Sequence, residues 1–265
     1  MPRFAANLTL MFTEHAFLDR FAAAAQAGFT AVEFLFPYDH PPEAIAERLA
    51  RFGLTQALFN LPPGDWAAGE RGLAALPDRF ADLQAGVETG LTYAQATGVA
   101  QVHLVAGMAD AADLQAQAAY RRAVAWTAER VAREGLDLVL EPINARNMPG
   151  YFLNDFGDAA RLITDLALPN LKLQFDLYHC QILHGDVTTR LRALMPLVGH
   201  VQTASVPARH EPGTGEMNDA FLFAELDRLG YAGFVGCEYN PAAGTEAGLR
   251  WFEPYRASQV REAGR

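Results

Sequence analysis

The stretches LDLVLEP (136–142), LKLQFD (171–176), HVQTA (200–204) and FVGCEYN (234–240) decide how this chain folds. Each is a short apolar run that reads as a buried strand, and each carries one polar residue at or near its C-terminal end: Glu141, Asp176, Gln202 and Glu238. The spacing between successive members leaves room for a loop, a helix and a return, which is the rhythm of strand-helix units closing into a parallel barrel. Alternation along a strand sets Glu141 on the side of Val139, Asp176 with Gln174, Gln202 with His200 and Glu238 with Gly236. If that side faces the barrel axis, three carboxylates and one amide oxygen converge at the C-terminal mouth, where such barrels carry their sites. Oxygen donors of that kind make a hard site suited to Mg²⁺ or Mn²⁺ rather than to zinc or copper.

Working outward, the runs at 4–8, 31–36, 54–60 and 101–105 supply four more strands. Helical patterns at 16–27, 42–52, 79–97, 113–134, 155–166, 187–197, 220–229 and 245–255 alternate with them, several closed by Gly28, Gly53, Gly98 and Gly135 as C-terminal stops. The expectation is an α/β protein, a (β/α)8 TIM barrel formed by one domain over 1–256, with a polar, frayed tail at 257–265. Hydrophobic residues make up 51% of the 265, enough for a large core. A net charge of −10 opposes a nucleic-acid partner, since no basic excess exists to release counterions from a phosphate backbone. No apolar stretch is long enough to cross a membrane, and with Cys180 and Cys237 giving no disulfide framework, a cytoplasmic location is expected. A homo-oligomer is compatible with the sequence and not specified by it.

Two long loops lie at the expected mouth. The segment at 60–77 carries Trp66 and Arg71 and either closes over a substrate or packs as a surface loop anchored by its tryptophan. The segment at 205–218 carries Arg209, His210 and Glu216; a cation pair there suits a small anionic sugar acid, unless Arg209 simply pairs with Glu211. His179 follows Asp176 by three positions and can reach a substrate oxygen or brace a neighbour. His103 and His200 read as satisfied inward-facing groups, Glu33 as an inward residue that orients a neighbour, and Asn144 and Arg146 as near enough to Glu141 to reach a ligand. Asn240 falls on the face of Glu238 by alternation.

Nine segments carry a family resemblance: FAANLTLMF (4–12), VEFLFPYD (32–39), FNLPPGDWAAGERG (59–72), LEPIN (140–144), MPGY (148–151), QFDLYHCQ (174–181), RHEPGTGE (209–216), GCEYNP (236–241) and EAGLRWF (246–252). In that order they resemble the hydroxypyruvate isomerase family of the xylose-isomerase-like barrels. The resemblance implies metal-type positions at Glu141, Asp176, Gln202 and Glu238, and a proton donor and acceptor pair at Glu141 and Glu238. It implies an isomerase that converts hydroxypyruvate to tartronate semialdehyde through an enediolate, with a divalent ion polarising the carbonyl. Ser205 and Asn240 depart from the family pattern, which typically has Asp near the first position and Lys at the second. Losing the cation at 240 loosens the inference to one substrate, so 2-oxo-tetronate isomerase and ketose 3-epimerase chemistry stay open. From other classes, a metal-dependent AP endonuclease is opposed by the carboxylate-rich ligand set and acidic charge. A non-catalytic sugar-binding barrel would not need both members of the carboxylate pair.

Overall fold

A computed structural model describes residues 1–261. Eight parallel strands run β1 Arg3–Asn7, β2 Ala31–Phe34, β3 Thr55–Phe59, β4 Gln101–His103, β5 Asp137–Leu140, β6 Leu171–Asp176, β7 Val198–Thr203 and β8 Phe234–Cys237. They form one sheet in the order β3-β2-β1-β8-β7-β6-β5-β4. Closure between β3 and β4 rests on the Asn60–His103 bridge and on the Leu61 N–H donating to the His103 carbonyl at 2.8 Å. Eight strands so closed, with helices returning on the outside, make the expected TIM barrel.

The helices are α1 Arg20–Gln26, α2 Pro42–Phe52, α3 Phe80–Thr97, α4 Leu114–Ala132, α5 Phe156–Leu166, α6 Leu177–Leu183, α7 Val187–Leu194, α8 Asp219–Arg228 and α9 Glu253–Arg261. The four glycine stops all adopt positive φ, as a left-handed C-terminal turn requires. Four expectations need correction. The helix expected at 16–27 is a 3-10 turn, Phe17–Asp19, before the shorter α1, and the one at 245–255 is a 3-10 stretch, Glu246–Phe252, leading into α9. The short α6 was not expected at all. Asp176 starts it by accepting from the Tyr178 and His179 backbone N–H groups. Nor does the tail fray where it is described: Gln259 is buried, accepts from the Phe4 N–H at 3.0 Å and donates to the Pro2 carbonyl at 3.1 Å, stitching α9 to the barrel floor. Residues 262–265 lie outside the described residues.

The period of two along each strand sorts side chains between two environments. Outward residues such as Phe4, Val32, Leu138, Leu173, Phe175, Val201 and Val235 join the main apolar cluster with the buried helix faces. Inward, Ala5, Ala31, Ala57 and Phe234 pack together as an apolar floor. Above the floor the interior turns polar. Glu33 Oε1 accepts from Asn7 Nδ2 at 3.0 Å and from Gln202 Nε2 at 2.8 Å, while its Oε2 lies 2.7 Å from His200 Nε2. Gly236 faces this carboxylate so closely that a Cβ there would sit 2.2 Å from Glu33 Oε2. Three partners pin Glu33, so it has little freedom to retreat. Gly236→Ala should therefore lower stability by about 1–3 kcal/mol, the usual cost of overpacking a filled interior. A thermal midpoint equal to wild type would show that the Glu33 network yields freely.

Candidate active site

Glu141, Asp176, Gln202 and Glu238 are all buried at or near the C-terminal ends of their strands, with the Gln202 amide turned down to Glu33 and Gln174. Glu141 and Glu238 stand one residue beyond β5 and β8, so both strands are shorter than the apolar runs suggested. Asp176 Oδ1 is held by the start of α6, while its Oδ2 is buried with no hydrogen-bond partner among the described residues. Glu141 Oε1 is likewise buried and unpartnered. His179 Nε2 lies 3.6 Å from Asp176 Oδ2 and 3.9 Å from Glu141 Oε1, and one ligand-type atom from each of the three residues falls within 4.8 Å of the others.

Arg209 is the cation of this cluster. Its guanidinium donates to Glu238 Oε2 at 2.9 Å and stands 5.2 Å from the Tyr178 ring, not against Glu211, which instead accepts from the Ala242 N–H. The Arg209 backbone has φ of 57°, a left-handed conformation uncommon outside glycine. Burial pushes the Glu141 pKa well above the ordinary glutamate value, and the charges of Glu238 and Asp176 push the same way. Burial also raises Asp176 to about 6 and Glu238 to about 7, with Arg209 opposing both shifts. The histidines stay neutral for the same reason: burial takes His103 down to about 3 and His179 well below its ordinary value.

Glu141, Glu238 and Arg209 line a cavity of about 210 Å³, and Asp176 lies behind its wall, 3.6 Å from His179 Nε2. One side is polar, with Glu141, Glu238, His103, His179 and Arg209; the other is apolar, with Leu35, Phe36, Val105, Ile143, Met148 and Trp66. Among the described residues, Arg209 is the one arginine or lysine lining it. Trp66, 39% exposed, rests 5.0 Å from the Phe36 ring, with the Arg71 guanidinium 3.9 Å from its own ring centre, and it lines the cavity, so the 60–77 loop forms part of the wall. Larger clefts lie elsewhere, one of about 330 Å³ around Tyr120 and Arg161 and one of about 640 Å³ around Lys172 and Tyr231, but neither gathers buried carboxylates.

Three expected substrate contacts stand apart from the cavity. Asn240 is exposed, because the chain has left β8 at Cys237 and alternation no longer applies; its backbone N–H donates to the Arg209 carbonyl. His210 Nδ1 lies 2.7 Å from the Asn240 carbonyl and braces the loop carrying Arg209. Glu216 accepts from Gln181 Nε2 and borders a separate cleft with Asp186 and Phe221. Arg146 is exposed, whereas Asn144 is fully buried against His179. His103 lines the cavity, its Nδ1 3.1 Å from Asn60 Oδ1 and its Nε2 unpartnered, while His200 sits lower in the Glu33 network. Asn147, Ile143 and Met148 were not anticipated as cavity residues; their signal was position, in the loop directly after the strand that delivers Glu141.

The donor set fits a hard divalent cation. Glu141 Oε1 and Asp176 Oδ2 are orphaned, buried and anionic in type, and Glu238 is close enough to raise the Glu141 pKa. Gln202 is less free than expected, since its Oε1 accepts from Gln174 Nε2 at 2.6 Å.

Residues 21–255 match the family described as xylose isomerase-like TIM barrel. A protein named 2-oxo-tetronate isomerase from Cupriavidus necator is 54% identical over 257 residues, covering 96% of this chain and 99% of that one. A hydroxypyruvate isomerase from Escherichia coli is 43% identical over 258 residues, covering 97% and 100%. A crystal structure described as AP endonuclease, family 2, from Brucella melitensis superposes with a TM-score of 0.94 at 48% identity, covering 97% of this chain and 100% of that one.

The raised Glu238 pKa has a sign that can be checked. Below the ordinary value of 4.5 the acid is protonated folded or unfolded and costs nothing; as pH rises toward about 7 the unfolded chain ionises first, so stability is lost. In buffer free of divalent ions, wild type should therefore lose thermal stability relative to Glu238→Gln as pH rises from about 4.5 to 7. A difference between the two proteins that stays constant with pH would mean that Glu238 ionises as freely in the fold as in water.

Proposed function

The chain belongs to the xylose isomerase-like TIM barrel family, and on that footing we propose that it isomerises small 2-oxo acids by moving a proton between adjacent carbons. The observation that carries this reading is the pair Glu141 and Glu238, buried on one small cavity and both with raised pKa values. One carboxylate removes the proton from the hydroxyl-bearing carbon. The other returns a proton to the former carbonyl carbon, while the hydroxyl proton passes from one oxygen to the other. A group with pKa of about 7 is well matched to such work, since near neutral pH both of its forms are populated. We infer that Glu141, Asp176 and Glu238, with the Gln202 oxygen if it turns from Gln174, would hold Mg²⁺ or Mn²⁺. When bound, the ion supplies positive charge that favours the enediolate oxygens.

Arg209 and His179 face the same space and serve the substrate's oxygens, the arginine offering charge to a carboxylate. A cavity of about 210 Å³ with one cation supports an acid of three or four carbons carrying one negative charge. Hydroxypyruvate, giving tartronate semialdehyde, fits that description. The 54% relative supports a second reading, the four-carbon 2-oxo-tetronate. The structure described as an AP endonuclease raises a third, but a chain of net charge −10 with a single cavity cation is poorly suited to a phosphate backbone.

Glu141→Gln and Glu238→Gln should each lower kcat at least about a hundredfold on the preferred acid, with exchange of the transferred hydrogen into solvent falling in parallel and the fold kept. Chelation should abolish turnover and Mg²⁺ or Mn²⁺ restore it, assayed side by side on hydroxypyruvate and 2-oxo-tetronate. Near-normal turnover in either variant would defeat the two-carboxylate mechanism. Arg209→Gln should raise KM about tenfold or more for these acids, and an unchanged KM would argue for an uncharged substrate.

A further inference from the structure

Glu141, Asp176 and His179 form a cluster that, judged by proximity alone, would pass for a two-oxygen, one-nitrogen metal site. The hydrogen bonds behind the imidazole argue otherwise. A neutral imidazole has one donor nitrogen and one acceptor, and which is which is set by the partner of the nitrogen facing away from the site. Behind His179 that partner is Asn144, entirely buried. Its backbone N–H donates to His179 Nδ1 at 3.2 Å. Its side-chain amide nitrogen lies 2.6 Å from the same atom.

The orientation of that amide is fixed by the next turn of chain. Asn144 Oδ1 accepts from the backbone N–H groups of Arg146 and Asn147, both at 3.0 Å. Flipping the amide would set its NH₂ against two donors, so the NH₂ must face His179. With two donors directed at it, Nδ1 can only accept, and the ring proton sits on Nε2. That proton faces the orphaned oxygens of Asp176 and Glu141, 3.6 and 3.9 Å away.

We propose that Asn144 is a positioning residue that holds His179 as its Nε2–H tautomer, making the imidazole a neutral hydrogen-bond donor to the reacting oxygens and withholding it from metal ligation. A protonated Nε2 has no lone pair to give an ion, which leaves any ion to the oxygens. A donor held at the edge of the carboxylate cluster opposes the negative charge that develops on a substrate oxygen during proton transfer, without adding a titrating group to the site. The catalytic part of this rests on the isomerase reading above; the tautomer does not.

The test begins with wild-type protein and no substrate. Nitrogen-15 histidine spectra, with the His179 signals assigned by their loss in His179→Gln, should show a protonated-type nitrogen at Nε2 and an acceptor-type nitrogen at Nδ1. The opposite pattern, or rapid averaging between the two, overturns the proposal whatever the substrate proves to be. Asn144→Asp keeps the size and the Oδ1 turn but sets a carboxylate oxygen at 2.6 Å from the ring nitrogen in place of the NH₂, against only the longer 3.2 Å backbone N–H, so the proton should shift toward Nδ1. With the fold intact by circular dichroism, its kcat on the preferred acid should fall at least about tenfold with KM changed far less, the loss of one donor acting in the transition state. Asn144→Ser, which can still donate, should keep the Nε2–H pattern and recover much of the rate. A moved proton with unchanged kcat would make Asn144 structural only.

Discussion

Three carboxylic acids, each at most 6% exposed, share one small mouth, and the cost of holding them there shapes everything around it. Desolvating an isolated carboxylate costs roughly several kcal/mol even after the protein relaxes, and like charges add to it. The chain answers each acid differently. Asp176 lends one oxygen to the first turn of α6, whose backbone N–H groups favour its charge. Glu238 takes the Arg209 guanidinium. Among the described residues Glu141 has no full ion pair, its nearest histidine nitrogens being 3.9 Å away, and its pKa is raised well above the ordinary value. The least compensated acid is thus the one readiest to accept a cation or keep a proton.

The polar layer below makes that arrangement rigid. Glu33, held by Asn7, His200 and Gln202, fixes which way the Gln202 amide points, and Gln174 then takes its oxygen. A polar interior of this kind would be a poor source of stability by itself. It is tolerable because the outward faces of the same strands bury the main apolar cluster against the helices, and because Ala5, Ala31, Ala57 and Phe234 seal the floor. The period of two on a barrel strand lets one residue serve the outer core while its neighbour serves the site.

Much of this was legible in the residues. The eight strands, their parallel order and the gathering of Glu141, Asp176, Gln202 and Glu238 follow from apolar runs of strand length ending in polar groups, a local signal. What misled was extension of the strand period beyond the strand: Asn240 is two residues past Glu238, but β8 has already ended, and its side chain turns to solvent. Glu216 and His210 share a loop with Arg209, and nothing local says which of the three turns inward. Here it is the residue at φ of 57° whose guanidinium meets Glu238. The helix after β6 leaves a weak sequence signal: it is seven residues long, and its N-cap Asp176 is also one of the buried carboxylates of the site. Both roles hold, one oxygen for each.

Arg209 joins the burial of charge to the choice of substrate. While it sits against Glu238 it lowers the pKa that burial raises, and so weakens that carboxylate as a base. On the proposed reading, an acid entering the cavity brings its own carboxylate, and that carboxylate and Glu238 compete for the same guanidinium. Whatever share of Arg209 the substrate takes is lost to Glu238, whose proton affinity rises accordingly. A neutral sugar of the same size would make no such demand and would leave Glu238 paired. One arginine, pinned through its backbone by Asn240 and braced by His210, can thereby discriminate by charge and strengthen the base in the same contact.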